Sequence, residues 1–199
     1  MIRRLIEKTR SIRRYREELP IAAEDLRELA DLLRLGGSAR NGQVLKYMIV
    51  TEPGQRNRIF NLLGWAGYLK DWPGPAEGER PVAYIICVLD RELLNGPERE
   101  AHFDLGIATQ NLLLGAAEKG ISGCRIASFP KDIGKALSLG GRYSVLLVLA
   151  LGYPAEKVML EPVPEDGDIR YWRDAEGVHH VPKRSLDEIL LPVRNARAG

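Results

Sequence analysis

The sequence predicts one compact domain in which helices and strands are interspersed, and three observations predict it. The chain has 199 residues, 45% of them hydrophobic, which supports a sizeable core yet stays close to the length of a single domain. Helical and strand-like patterns follow one another along the whole chain, with neither confined to one half. No internal repeat, low-complexity tract or linker breaks the succession, so a single domain over residues 1–199 is expected.

Taken in order, Ile2 to Lys8 reads as a short helix leading into a polar turn. After Pro20, the segment Ala22 to Leu35 puts Leu26, Leu29, Ala30 and Leu33 on one helical face, and Gly36 and Gly37 stop it. Tyr47 to Thr51 reads as a strand and Gln55 to Leu63 as a helix. Pro81 to Leu89 is a longer strand, because VAYIICVL is rich in β-branched and apolar side chains. Gly64 to Arg80 forms a loop between them. Pro97 to Lys119 is the longest helix. From Leu105 onward its apolar residues, Ile107, Leu112, Leu113, Leu114 and Ala117, point several ways, which predicts burial on most sides. Ile121 to Ala127 and Tyr143 to Leu151 read as strands separated by a short helix opening at Pro130. Pro162 to Gly167 is acidic, contains proline and reads as an exposed loop. Ser185 to Leu191 reads as a last helical turn or two with Ser185 as N-cap.

Composition narrows the function classes. A formal net charge of +2, from 29 basic and 27 acidic residues spread along the chain, provides no large field to attract nucleic acid or an anionic membrane. Cys87 and Cys124 are too few for a disulfide framework and lack CxxC spacing, so a reducing compartment is expected. The opening MIRRLIEKTRSIRRYRE has no apolar central run of a secretory signal, and no stretch approaches the ~20 apolar residues of a membrane span. Cytoplasmic residence is the expectation.

Several familiar sites are absent: there is no GxGxxG after a strand, no GxxxxGK[ST], no GxSxG and no HExxH. Cys124, in an apolar strand pattern, reads as a small buried hydrophobe rather than a nucleophile. His179 and His180 are adjacent, so on a strand they point to opposite faces, and His102 lies near Asp104 at no metal-ligand spacing. The DGD of Asp166 to Asp168 lacks the further ligands of a calcium loop and reads as a solvated turn. No metal is assigned.

Two polar clusters remain. Arg10, Ser11, Arg13 and Arg14 sit at a helix-to-loop junction, where guanidinium forks and a hydroxyl suit one phosphate group. Alone they read equally as a solvated basic surface, as does the later pair Lys183 and Arg184. Ser38, Arg40, Asn41 and Gln43 form a polar loop after a double glycine, where side-chain amides suit the edge of a heterocycle. Alone this loop is also a plain turn.

Together and in this order, the segments TRSIRRY, SARNGQVLKYMIV, DLGIATQNLLLGAAEKGISGC and VLALGYP resemble the nitroreductase family. RSxRRY and SARNxQ are the most specific parts, and the resemblance covers most of the chain. It implies an α+β fold: an α/β/α sandwich with a central mixed, mainly antiparallel sheet flanked by helices, forming an intertwined homodimer with two FMN sites at the subunit interface. It also implies an activity, the passage of hydride from NADH or NADPH through FMN to a small electron-poor acceptor such as a nitroaromatic or quinone. Carried over by residue, Arg10 and Ser11 match positions near the flavin phosphate and ribityl chain, and Arg13 one beside the pyrimidine edge. Lys183 and Arg184 match late phosphate contacts. Asn41 and Gln43 match amides that approach the ring, with Ser38 and Arg40 close by, all donated by the partner subunit. Ser122 and Gly123 match the backbone facing flavin N5 and O4. Thr9 and Val44 depart from the family pattern, standing where arginine and proline are common.

No acid or base residue is required, because hydride transfer belongs to the flavin. Without a dinucleotide fingerprint of its own, the chain is expected to take donor and acceptor in one cleft, by a ping-pong mechanism. Trp65, Tyr68 and Trp72, in the long loop Gly64 to Arg80, are candidates for a pocket wall or lid. Large aromatics favour burial, so at least two of the three rings are expected to pack on the core. Two other readings are a flavin-storage or delivery protein without turnover, and a related dehalogenase or dehydrogenase of a dedicated metabolite with the 64–80 loop as specificity element.

Overall fold

The computed structural model describes residues 2–192, and the chain divides into two compact units, 1–155 and 156–199, each described by itself. In the first, α1 (Ile2–Lys8) precedes α2 (Ala23–Arg34), whose Leu26, Leu29 and Leu33 form the buried stripe that the helical spacing predicts. After β1 (Leu45–Val50), α3 (Pro53–Phe60) starts two residues before the expected Gln55. Glu52 accepts from the amides of Gly54 and Gln55 at 2.7 and 2.6 Å, and Pro53 takes the first helical position. Next come β2 (Ala83–Asp90), α4 (Glu98–Glu118), β3 (Ser122–Ile126), α5 (Ile133–Ala136) and β4 (Tyr143–Gly152).

The four strands lie in the order β1-β2-β4-β3, and every neighbouring pair is antiparallel. This meets the mainly antiparallel part of the expected mixed sheet, and a parallel contact occurs at its β3 edge as a bridge between Ser11 and Gly123. The strands β2 and β3, joined through α4, run in the same direction with β4 between them. All of β2 is buried. On one face Ala83, Ile85 and Cys87 pack in a core with Leu26, Leu29 and Leu33 of α2 and Leu105, Ala108, Leu112 and Ala116 of α4. The opposite face carries Tyr84, Ile86 and Val88, also buried, with Tyr84 beside Arg56, Asn57 and Phe60 of α3. The architecture is therefore α+β, a sheet with helices on both faces.

The expectation that α4 is buried on most sides holds for one side only. Ala101, Leu105, Ala108, Leu112 and Ala116 face the core, whereas Phe103 and Ile107 are 65% and 45% exposed.

The second unit holds three strands that the sequence patterns did not indicate: β5 (Val158–Pro162), β6 (Trp172–Arg173) and β7 (His179–Lys183), in the order β5-β7-β6. The β5/β7 pair is parallel and β6/β7 antiparallel. Asp166 and Asp168 close a turn, with Asp168 paired to Arg170 at 2.6 Å, as expected for a solvated turn. Ser185 caps α6 (Leu186–Ile189) in a reciprocal box with Glu188.

On β7, His179 is buried and His180 faces the other side, the alternation expected of adjacent strand residues. His180 is bracketed: Nδ1 lies 3.0 Å from Glu161 Oε2 and Nε2 lies 3.0 Å from Asp174 Oδ2. Its ring stacks on Trp172, centroids 4.1 Å apart, and the Trp172 indole N–H donates to Glu161 at 2.9 Å. An imidazolium satisfies both carboxylates with its two N–H groups, so the Asp174 and Glu161 hydrogen bonds raise the His180 pKa above its ordinary 6.5. A raised folded-state pKa contributes stability that is complete below about pH 6.5 and is lost as pH rises through the raised value. Melting followed by Trp fluorescence is expected to show stability falling as pH rises above about 6.5, with His180→Gln removing part of that slope. An unchanged slope in the variant refutes the assignment.

Candidate functional site

The first cluster is built by a strap that leaves α1 and crosses the end of the sheet. Thr9 closes the helix, its amide and hydroxyl both donating to the Leu5 carbonyl at 2.9 and 2.8 Å. The departure at Thr9 is thus a helix-closing device. Arg10 Nη2 donates to the Ile6 carbonyl at 2.7 Å, while its Nε is buried with no partner. Burial lowers the Arg10 pKa, with the Glu7 charge opposing.

Ser11 then forms a parallel bridge with Gly123, and the Ile12 amide donates to the Gly123 carbonyl at 3.2 Å. Tyr15 N–H reaches the Glu79 carbonyl at 2.9 Å, Arg16 N–H the Tyr153 carbonyl at 2.8 Å, and Ala155 N–H returns to the Arg14 carbonyl at 2.9 Å. The fully buried Tyr15 donates its hydroxyl to the carbonyls of Ile12 and Ala150, and Arg14 pairs with Glu79 at 3.3 Å. A Cβ on Gly123 would stand 2.7 Å from the Ala150 carbonyl oxygen and from Leu151 Cδ2, so close strand packing requires glycine there. The result is a fixed juxtaposition of Arg10, Ser11 and Arg13 with Ser122 and Gly123, residues more than a hundred positions apart.

The second cluster is the 38–43 loop. Ser38 donates its hydroxyl to Asp104 Oδ2 at 2.7 Å and accepts from the Gln43 amide at 3.0 Å, while Asp104 also accepts from the Ala39 amide at 3.0 Å. Arg40 is ion-paired with Glu100 of α4. Arg40, Asn41 and Gln43 have φ of 52°, 52° and 47°, left-handed conformations that cost non-glycine residues energy and mark a tightly constrained loop. Val44, the second departure, is buried beside Leu89 and Ala101 and anchors the end of this loop. Ser38 and Arg40 therefore fix the loop to α4. Asn41 and Gln43 stay exposed, their amides hydrogen-bonded to each other at 3.2 Å.

Within one chain the structure does not unite the two clusters. The loop borders a cleft of about 380 Å³ with Leu33, Tyr47 and Asp104, where burial raises the Tyr47 pKa. The strap borders another of about 130 Å³ that holds Arg13, Trp65, Cys124 and Arg125, and the two share no lining residue. Lys183 ends β7, and Arg184 follows, 3.3 Å from Glu188; both are exposed in the second unit.

The aromatic loop is partly core and partly surface. Trp65 is buried against Phe60, ring centroids 5.8 Å apart, but Tyr68 is 51% exposed and Trp72 half-buried, so one ring is fully packed where at least two were expected. The cause is local. Gly74, at φ +124°, lays its backbone on Trp65, where a Cβ would stand 2.7 Å from Cδ1, and the chain before it turns outward at Tyr68. Both cysteines are buried free thiols, with Cys87 pushed up to about 12 by burial. Among the described residues no group of three or more acidic, histidine or cysteine side chains suits a metal ion, and no helix is long and apolar enough to cross a membrane. Two residues of these clusters escaped the sequence reading. Asp104 resembles any polar helix position, and Arg125 was signalled only by a charge inside the otherwise apolar ISGCRIA.

No family model matches the sequence. In three dimensions the chain has the fold of nitroreductase family proteins. A nitroreductase family protein from Streptococcus pneumoniae superposes with a TM-score of 0.70 at 17% identity, over 97% of this chain and 100% of that one. A Desulfovibrio desulfuricans protein solved in complex with FMN gives 0.71 at 20% identity over 98% of each chain. An FMN-dependent nitroreductase from Clostridium difficile gives 0.62 at 20% identity, covering 77% of this chain and 87% of that one.

Proposed function

We propose that the chain is a cytoplasmic FMN-dependent oxidoreductase, acting as a homodimer, that passes hydride from NADH or NADPH to a small electron-poor acceptor. The observation that carries this reading is the bridge between Ser11 and Gly123. It joins the segment that the family resemblance assigns to the flavin phosphate and ribityl chain with the one it assigns to flavin N5 and O4. The residues fit such a group. Arg10 sits beside the strap with a buried Nε that lacks an acceptor, and an FMN phosphate, close to doubly charged at neutral pH, supplies acceptors of the charge-assisted kind.

When bound, FMN supplies reversible hydride acceptance and donation. The chain holds and shields it. Arg10 and Ser11 hold the phosphate end, the Ser122–Gly123 backbone lies along the ring, and Arg13 favours negative charge on the pyrimidine side. Lys183 and Arg184 are proposed as further phosphate contacts. Asn41 and Gln43 are proposed to reach the ring from the partner subunit, in keeping with a loop that stands apart from the strap within its own chain. The exposed Phe103 and Ile107 supply an apolar face for that partner. Donor and acceptor then take turns in one cleft.

Arg10→Ala is expected to weaken FMN binding by about 1.5 to 3 kcal/mol, the usual worth of a charged hydrogen bond, without unfolding the chain. Flavin fluorescence titration checks it, and unchanged affinity refutes the phosphate assignment. The activity itself is tested by anaerobic titration of the FMN-loaded protein with NADH and NADPH. Rapid bleaching of the oxidised flavin band supports a reductase and identifies its donor. Tight flavin binding without bleaching favours storage or delivery.

A further inference from the structure

The strap and β3 run parallel where Ser11 meets Gly123. Two residues further along each, Arg13 and Arg125 line the same cleft of about 130 Å³. Trp65, Ala66, Cys124 and Ser128 complete most of its wall, and among the described residues lining it there is no carboxylate.

Arg125, like Arg56 and Arg80, is held by neutral groups. Its Nε donates to Thr109 Oγ1 at 2.9 Å and its Nη2 to Gln110 Oε1 at 2.8 Å, two neutral acceptors on α4. Thr109 gives its own proton to the Leu105 carbonyl at 2.7 Å, which turns an oxygen lone pair toward the guanidinium. By contrast, Arg14, Arg40, Arg142 and Arg173 each have a carboxylate partner. Arg125 is therefore oriented without being neutralised. Its pKa is lowered by burial, with only the two cysteines opposing and no acidic residue among the causes. Arg125 is exposed on β3, and a cation with fixed geometry and no carboxylate partner is poised for an anionic ligand.

We infer that this cleft is a subsite for the carboxylate of a small-molecule acceptor, with Arg125 as its anchor and Arg13 as a second cation. The volume admits a carboxylate and a few attached atoms, not a nucleotide. The inference rests on the proposed flavin reading only for the claim that the bound acid is an electron acceptor. The anion site stands on the arginines alone. Arg125 is thereby a specificity-determining residue, selecting planar acids over their neutral analogues.

The test is calorimetric titration of the protein, with and without FMN, using benzoate, benzamide and inorganic phosphate. Trp fluorescence is followed in parallel, because Trp65 lies in the cleft wall. Benzoate is expected to bind at least tenfold more tightly than benzamide and than phosphate. Arg125→Gln is expected to weaken benzoate at least tenfold, with benzamide and FMN affinities unchanged, and Arg125→Lys to restore part of the loss. Melting curves of both variants establish that they fold. Equal binding of benzoate and benzamide, or indifference to Arg125→Gln, overturns the inference, and tighter binding of phosphate overturns the carboxylate assignment. Benzoate binding by a protein that takes up no FMN would sink the flavin reading and leave the anion site standing.

Discussion

Replacing Gly152 by alanine is expected to lower both the stability of the protein and its affinity for FMN. A Cβ at this position would stand 2.7 Å from Tyr15 Cδ1 and 3.0 Å from Tyr15 Cβ and Cγ. The ring has nowhere to retreat: Tyr15 is completely buried, and its hydroxyl is tied to the carbonyls of Ile12 and Ala150. Overpacking of this kind costs about 1 to 3 kcal/mol, which for a chain of this size lowers the melting temperature by roughly 2 to 12 °C. Because the displaced residue belongs to the strap, Arg10, Ser11 and Arg13 shift with it, and flavin affinity falls by roughly tenfold or more. Gly140→Ala is the control, since a Cβ there meets nothing within 4 Å. Wild-type melting and wild-type flavin affinity in Gly152→Ala would show that the strap does not position the site.

Phe103→Asp is expected to convert the proposed homodimer into a monomer. Phe103 and Ile107 are 65% and 45% exposed on the outer face of α4. The backbone at Gly36 approaches Ile107, and Leu35, 59% exposed, extends the same apolar surface. A carboxylate at the centre of such a face loses a buried aromatic contact and gains an unpaired charge. An interface hot spot of this kind is worth about 2 kcal/mol or more, roughly a 30-fold weaker association. Sedimentation velocity across a concentration series reads it directly. If loop 38–43 serves the partner's flavin, FMN affinity falls in parallel with dimer content. A wild-type chain that sediments as a monomer, or a variant that remains dimeric, removes this face from consideration.

Much of the first unit was legible because its elements obey short-range rules. The apolar spacing of α2, the β-branched run of β2 and the length of α4 fix those elements within one to two residues. Capping also read through at Ser185. The start of α3 was missed because Glu52 caps with a side chain longer than the usual N-cap residues, so Pro53 opens the helix where no short polar residue announces it. The strands β5, β6 and β7 were not legible: they are two to five residues long, contain proline and charged residues, and are held by pairing between distant segments. The site shows the same division. The resemblance singled out Ser11 and Gly123 separately, and only the folded chain places one on the other. The neutral bracket around Arg125 and the carboxylate bracket around His180 depend on which side chains meet in space, and neither has a local sequence signature.

The strap also sets a schedule for the ribosome. Its residues emerge well before most of the groups that hold it, Glu79 first and then those from Gly123 to Ala155. The Tyr15 hydroxyl waits 135 residues for the Ala150 carbonyl, roughly 7 to 27 s at ordinary elongation rates. Throughout that interval the arginine-rich strap has been made while much of its docking surface has not. Such long-range closure makes late, slow docking the natural order of assembly. A nascent chain released before Ala155 would have most of its core helices and strands and still lack the geometry that places Arg10 and Ser11.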